Sequence, residues 1–125
     1  MEVHTTPLGR TVIGCAIEVH SALGPGLLES VYERGLAREF QARGLSFQEQ
    51  VAVPICYKGL NLDCGYRVDF VVERELIVEL KSVERLIPVH QAQMLTYLKL
   101  MHLRQGFLIN FNVGRLVDGV KSFLL

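Results

Sequence analysis

Three residues of this chain have types and spacing that could do chemistry: Asp69 in "YRVDFVVE", and Glu79 and Lys81 in "LIVELKSVER". Both stretches are otherwise apolar and rich in β-branched residues, so each reads as a strand. Side chains alternate faces along a strand, which places Glu79 and Lys81 on one face with Ile77, and Val78 and Leu80 on the other. The same alternation groups Arg67, Asp69 and Val71 against Val68 and Phe70. A hairpin centred near Arg74 brings Asp69 opposite Glu79, whereas a shift of one residue sends the partner to the other face. In the first register two carboxylates and a lysine share one patch.

Neighbouring carboxylates repel, which raises the pKa of one of them unless a cation intervenes. Hard oxygen ligands suit magnesium or manganese, and magnesium is commonly held by one or two carboxylates with several waters retained. Such an ion makes a nucleophile of water and stabilises charge on a phosphate. A lysine beside it can orient that water, take its proton or neutralise developing charge. The patch therefore suits phosphodiester hydrolysis. A Glu–Lys pair at this spacing is also a common plain salt bridge, with Asp69 as its third member, and on these residues alone the two readings stand level.

The flanking pattern supplies the elements that must hold the patch. "RTVIGCAIEVHSALG" has helical spacing at Val12, Ile13, Ala16, Ile17, Val19 and Leu23, and Gly24-Pro25-Gly26 ends it. "LLESVYERGLAREFQARG" continues as a second helix with a stripe of Leu28, Val31, Tyr32, Leu36 and Phe40, stopped at Gly44. "FQEQVAVPICY" reads as a strand and "KGLN" as its turn; "YRVDFVV" and "ELIVELK" follow as a hairpin whose turn lacks the usual Gly or Asn. "PVHQAQMLTYLKLMH" returns to helical spacing with Val89, Met94, Leu95, Leu98 and Met101 apolar and Pro88 in its first turn. "GFLINF" is a short buried-type strand, "NVGRLVDG" is turn-rich, and "VKSFLL" allows a closing strand. The order α-α-β-β-β-α-β, with that further β at the end, predicts an α/β fold with helices on a mixed sheet.

At 125 residues the chain has room for one domain, residues 1–125, with one core. Half of its residues are hydrophobic, which excludes a disordered chain. No run reaches the ~20 apolar residues of a membrane-spanning helix, so no membrane partner is expected. "MEVHTTPLGR" lacks the basic and apolar stretches of a leader. Cys15, Cys56 and Cys64 are odd in number and show no zinc or redox spacing, as expected of free thiols in a reducing cytoplasm. Basic and acidic residues balance at 13 each, which argues against broad, non-specific nucleic-acid binding while leaving room for a local basic rim.

Gly26, Glu29 and Tyr32 spell Gly-x-x-Glu-x-x-Tyr. On its own physics Glu29 does no more than complement a helix N-terminus. In order with "YRVDFVVE", "IVELKSVERLIPVHQAQMLTYLK" and "GFLINFNVGRLVDGVK", however, the chain resembles the GxxExxY protein family of the PD-(D/E)XK nuclease superfamily. The resemblance covers nearly the whole chain and implies a restriction-endonuclease-like α-β-β-β-α-β core. It implies Asp69 and Glu79 as ligands of Mg2+ (or Mn2+), Lys81 as the catalytic lysine, Glu29 as an accessory acid and Gln93 as the glutamine of the following helix. Val68 stands where the nominal pattern has proline. Tyr32, His90 and Tyr97 receive no role. Arg67, Arg85 and Lys99 are candidates for gripping a nucleic-acid backbone. The resulting expectation is a metal-dependent nuclease acting on DNA rather than RNA. The alternative is a non-catalytic nucleic-acid-binding or protein-interaction module on the same fold. A small neutral chain has little surface for a duplex, and a homodimer would enlarge it.

Overall fold

The computed structural model describes residues 6–62 and 64–125. Residues 1–5, part of the stretch read above for a leader, lie outside the described residues. Helix α1 (Pro7–Leu23) is capped by the Thr6 hydroxyl, which accepts from the Gly9 N–H at 3.0 Å. Helix α2 (Glu29–Ala42) follows the Gly24-Pro25-Gly26 turn. Strand β1 (Phe47–Ala52) precedes a two-rung hairpin of β2 (Cys56–Tyr57) and β3 (Leu60–Asn61). Next come β4 (Arg67–Val72), β5 (Leu76–Lys81), helix α3 (Pro88–Met101), β6 (Gln105–Asn110), a 3-10 turn (Leu116–Gly119) and β7 (Val120–Leu124). Five strands form one sheet in the order β1-β4-β5-β6-β7. β5 and β6 are parallel, joined by α3, and the other neighbours are antiparallel. This is the expected mixed α/β architecture, and the closing strand is present as β7.

The sheet divides the interior in two, where a single core was expected. One side packs Phe70, Val72, Val78, Leu80, Phe107 and Ile109 against Val12, Tyr32, Leu36 and Phe40 of α1 and α2. The other packs Val71, Ile77 and Leu108 against Met94, Tyr97 and Leu98 of α3. Helix α3 lies close on β6 at Gly106, where an added Cβ would stand 2.6 Å from Met94 Sδ. The helical stripes are narrower than their spacing implies, and Ile17, Leu23, Leu28, Val31, Val89 and Leu95 are exposed. "FQEQVAVPICY" is also not one strand. It stops at Ala52, before Pro54, and "KGLN" supplies both a turn and β3. Cys15 is buried, Cys56 and Cys64 are exposed, and all three are free.

Candidate functional site

The β4–β5 ladder runs from Val72–Leu76 through Val71–Ile77 to Phe70–Val78. The next rung is Asp69–Glu79, as a hairpin centred on Arg74 requires. There the pairing is taken over by side chains. The Asp69 N–H donates to Glu79 Oε1 at 2.7 Å, and the Leu80 N–H donates to Asp69 Oδ2 at 2.8 Å. On its other side β4 pairs with β1 at Glu49–Phe70 and Val51–Val68, but the register omits Gln50 and Asp69 between them. Gln50 is left-handed, with φ 51°. A strand residue in that conformation interrupts the pleat. Phe47 and Phe70 accordingly face the α1–α2 side, whereas Val51 and Val68 join the α3 side. The expectation that Val68 and Phe70 share a face is therefore corrected: alternation turns over at Asp69.

Burial pushes Glu79 up to about 8, with the Asp69 charge adding to the rise and the Asp69 N–H and Lys81 opposing it. Burial also raises Asp69, against the Leu80 N–H, the Gln50 amide and Lys81. Lys81 is thus near enough for both carboxylates to feel its charge, yet among the described residues it forms no direct ion pair. The plain salt bridge is not what the structure shows. Gln50 Nε2 donates to Asp69 Oδ1 at 3.1 Å and to Glu33 Oε1 at 3.0 Å, linking β4 to α2. Burial raises Glu33 too, with Glu49 and Glu29 adding to it and the Gln50 bond opposing.

Glu29 opens α2 and is exposed; its charge reaches Glu79 and Glu33. Its position is set by the loop before it. Gly26 takes φ 95°, and the Tyr32 hydroxyl donates to the Gly24 carbonyl at 2.6 Å while accepting from the Leu27 N–H at 3.1 Å. The buried Tyr32 ring stacks on Phe111 with centroids 4.5 Å apart. Ser82 Oγ, just past Lys81, donates to the Leu27 carbonyl at 2.6 Å. Gly26 and Tyr32 therefore hold the turn from which Glu29 projects.

On α3, His90 accepts the Ile87 N–H through Nδ1 at 3.2 Å; burial lowers its pKa, Lys81 lowers it further, and Glu29 opposes. Gln93 does not bond to Lys81. It lines a cleft of about 240 Å³ with Tyr66 and Tyr97. Tyr97 is raised by burial and by Glu79, Tyr66 and Asp69, so the cleft adjoins the carboxylate pair. Arg67 is exposed and donates to the Gln50 carbonyl at 3.3 Å. Arg85 is exposed in the loop after β5. Lys99 is exposed on α3; it does not line the cleft, but lies on the flank of the helix face that Ala92 and Thr96 present to it. The structure thus brings together Asp69, Glu79 and Lys81, puts Glu29 and Arg67 at their margin, and sets Gln93 in the neighbouring cleft.

Sequence reading missed Gln50, Glu33 and Asn110. Asn110 pairs opposite Lys81 and is buried, and its amide holds both the N–H and the carbonyl of Val83. It thereby fixes the loop leaving Lys81. An asparagine inside the apolar "GFLINF" was the available signal. Gln50 had none, because nothing local announces its left-handed backbone.

Asp69 and Glu79 offer hard, partly buried carboxyl oxygens on adjacent strands. No hydrogen bond occupies Glu79 Oε2 among the described residues. That donor set fits a hard divalent cation that keeps most of its waters. Among the described residues no three His, Cys, Asp or Glu side chains converge to hold a metal, so Glu29 is not a third direct donor in this arrangement. Nor is any described helix long and apolar enough to cross a membrane. The family model of the PD-(D/E)XK nuclease superfamily matches residues 6–123. No curated protein and no solved structure matches the chain.

Proposed function

The chain belongs to the PD-(D/E)XK nuclease superfamily, and from that premise we propose that it is a cytoplasmic nuclease, one domain over residues 1–125, hydrolysing phosphodiester bonds of DNA in preference to RNA with Mg2+ or Mn2+. The observation that carries this reading is the opened Asp69–Glu79 rung, with Lys81 beside it in no ion pair among the described residues. Asp69 and Glu79 hold the cation, which supplies Lewis acidity and charge neutralisation at the scissile phosphate. The Asp69 and Leu80 N–H groups fix one oxygen of each carboxylate, so both ligands are oriented before substrate arrives. Lys81 positions the attacking water and balances the negative charge that develops. Glu29 acts through water at the margin of the pair. Gln93 contacts the nucleotide beside the scissile phosphate. Arg67 and Arg85 grip the backbone, and Lys99 serves a substrate long enough to run past the cleft along α3. A homodimer would double the grip of a chain with no net charge. The GxxExxY resemblance supports the same assignment.

The test is a calorimetric Mn2+ titration followed by cleavage assays on DNA and RNA, single- and double-stranded. Asn and Gln replacements are chosen because they keep an oxygen for the capped N–H groups. Saturable binding by the wild type, lost in Asp69→Asn and Glu79→Gln, is expected. Lys81→Ala should keep its Mn2+ affinity and lose about 10²–10⁴-fold in cleavage. Cleavage at the wild-type rate in Lys81→Ala would remove that residue from the mechanism. A wild type that binds no Mn2+, with or without an oligonucleotide, would sink the proposal and favour the non-catalytic module.

A further inference from the structure

The cleft beside the carboxylate pair has a lining of its own. Ile55, Tyr66, Gln93, Thr96, Tyr97 and Leu100 border it, and none is charged. Tyr66 is 48 % exposed although it is a large aromatic residue. Its main chain is held, because the Val53 N–H donates to the Tyr66 carbonyl at 2.9 Å. Its ring lies 6.4 Å from Tyr97 at 54°, so the two rings do not stack on each other and Tyr66 keeps aromatic surface exposed. Gln93 is half-buried, and its side chain makes no hydrogen bond among the described residues. Its amide offers both donors and acceptor to whatever enters.

An uncharged cleft with exposed aromatic surface and an unused amide is poorly suited to a phosphate and well suited to a planar, hydrogen-bonding ring. Its place in the fold narrows the choice. Tyr66 stands three residues before Asp69, about 10 Å along an extended chain. Tyr97 shares an apolar cluster with Val68, the neighbour of Asp69, and with Ile77, two residues before Glu79 on its strand. A ring in the cleft therefore lies within about a nucleotide of a phosphate held at the pair.

We propose that this cleft is a nucleobase subsite: Tyr66 stacks an unpaired base, Gln93 bonds its edge, and the chain thereby selects single-stranded or frayed nucleic acid. Bases inside a duplex have both faces stacked and cannot enter without being unstacked. The inference rests on the nuclease reading above and deepens it.

The test is fluorescence anisotropy with three labelled probes: an oligothymidylate of about a dozen nucleotides, a duplex of equal length, and an abasic strand of equal length. Calcium replaces magnesium to hold back cleavage. The wild type should bind the oligothymidylate tighter than either other probe. Tyr66→Ala should weaken that binding about 5- to 150-fold, the range for loss of one base–aromatic stack, and leave the abasic strand unchanged. Tyr66→Phe should restore it, because the ring and not the hydroxyl is the platform. If the oligothymidylate binds equally well to wild type and Tyr66→Ala, the subsite falls and the nuclease reading stands. Equal weakening of the abasic strand would make Tyr66 a backbone contact and overturn the subsite. A wild type that binds none of the probes overturns both.

Discussion

At its turn the β4–β5 hairpin is closed and dry; a few residues away it is open and charged. Val71, Val72, Leu76 and Ile77 are buried and fully paired around a three-residue turn, Glu73-Arg74-Glu75. Glu73 and Arg74 both adopt positive φ there, 53° and 57°, without the Asn or Gly that such a turn prefers. The strain is offset by reciprocal bonds in which the Glu73 N–H donates to the Ser46 carbonyl and the Ser46 N–H donates to the Glu73 carboxylate. At the other end the ladder gives up its rung, and Asp69 and Glu79 satisfy the freed N–H groups. The closed end spends its residues on stability. The open end keeps two carboxyl groups in partial burial, an arrangement that costs stability when both ionise without a cation between them. Stability and chemistry are thus separated along one hairpin.

The largest effect expected from probing that division lies in the packed part of β4. Phe70 is fully buried against Phe40 and Phe47, with ring centroids 5.2 and 5.8 Å away. Phe70→Ala should lose about 3–5 kcal/mol in urea unfolding. Asp69→Asn, one residue along, should lose less than about 1 kcal/mol in the metal-free protein, because the amide preserves shape and one acceptor. Similar losses in the two variants would break the comparison.

A smaller effect follows from pH. Glu79 titrates near 8 in the folded chain against 4.5 ordinarily, and Asp69 is raised as well. Between those limits the folded state holds more protons than the unfolded one, so stability must fall as pH rises. Without divalent metal the melting temperature should drop between about pH 5 and pH 8, by the equivalent of roughly 2 kcal/mol. Glu79→Gln should flatten that slope, and Mn2+ should reverse it above pH 7. A slope identical in wild type and Glu79→Gln would place the proton elsewhere. The smallest effect belongs to the turn. Replacing Arg74 alone by Gly, which leaves the Glu73 carboxylate on the Ser46 N–H, should raise stability by roughly 0.5–1 kcal/mol through relieved strain, with Mn2+ affinity unchanged. Altered metal affinity would mean that the two ends are coupled.

Much of this was legible before any coordinates. Alternation in "RVDFVV" and "LIVELK" fixes which residues can meet, and a turn at Arg74 then forces Asp69 opposite Glu79. The element order follows from periodicity alone. What stayed hidden depends on backbone states that no side-chain pattern encodes. Gln50 reaches Asp69 only because its left-handed φ interrupts β1, and the same interruption carries Val68 to the unexpected face. Glu33 enters only through Gln50. Lys99 looked as eligible as Arg67, yet it stands outside the cleft lining, on the flank of α3. The apolar stripes misled at Val31 and Leu95 because a helix packed on one side of a sheet buries a narrower face than its composition advertises.

The bracing of the α1–α2 turn has a consequence for how the Gly-x-x-Glu-x-x-Tyr signature is to be understood. Of its three residues only Glu29 brings a charge to the margin of the pair; Gly26 and Tyr32 form a jig. Tyr32 is anchored on Phe111, at the end of β6, and grips the chain at Gly24 and Leu27. The direction in which Glu29 points is therefore inherited from the sheet and not chosen by the loop. Such a signature is a dimension as much as a set of reagents: it records how far a carboxylate must stand from the beam that aims it.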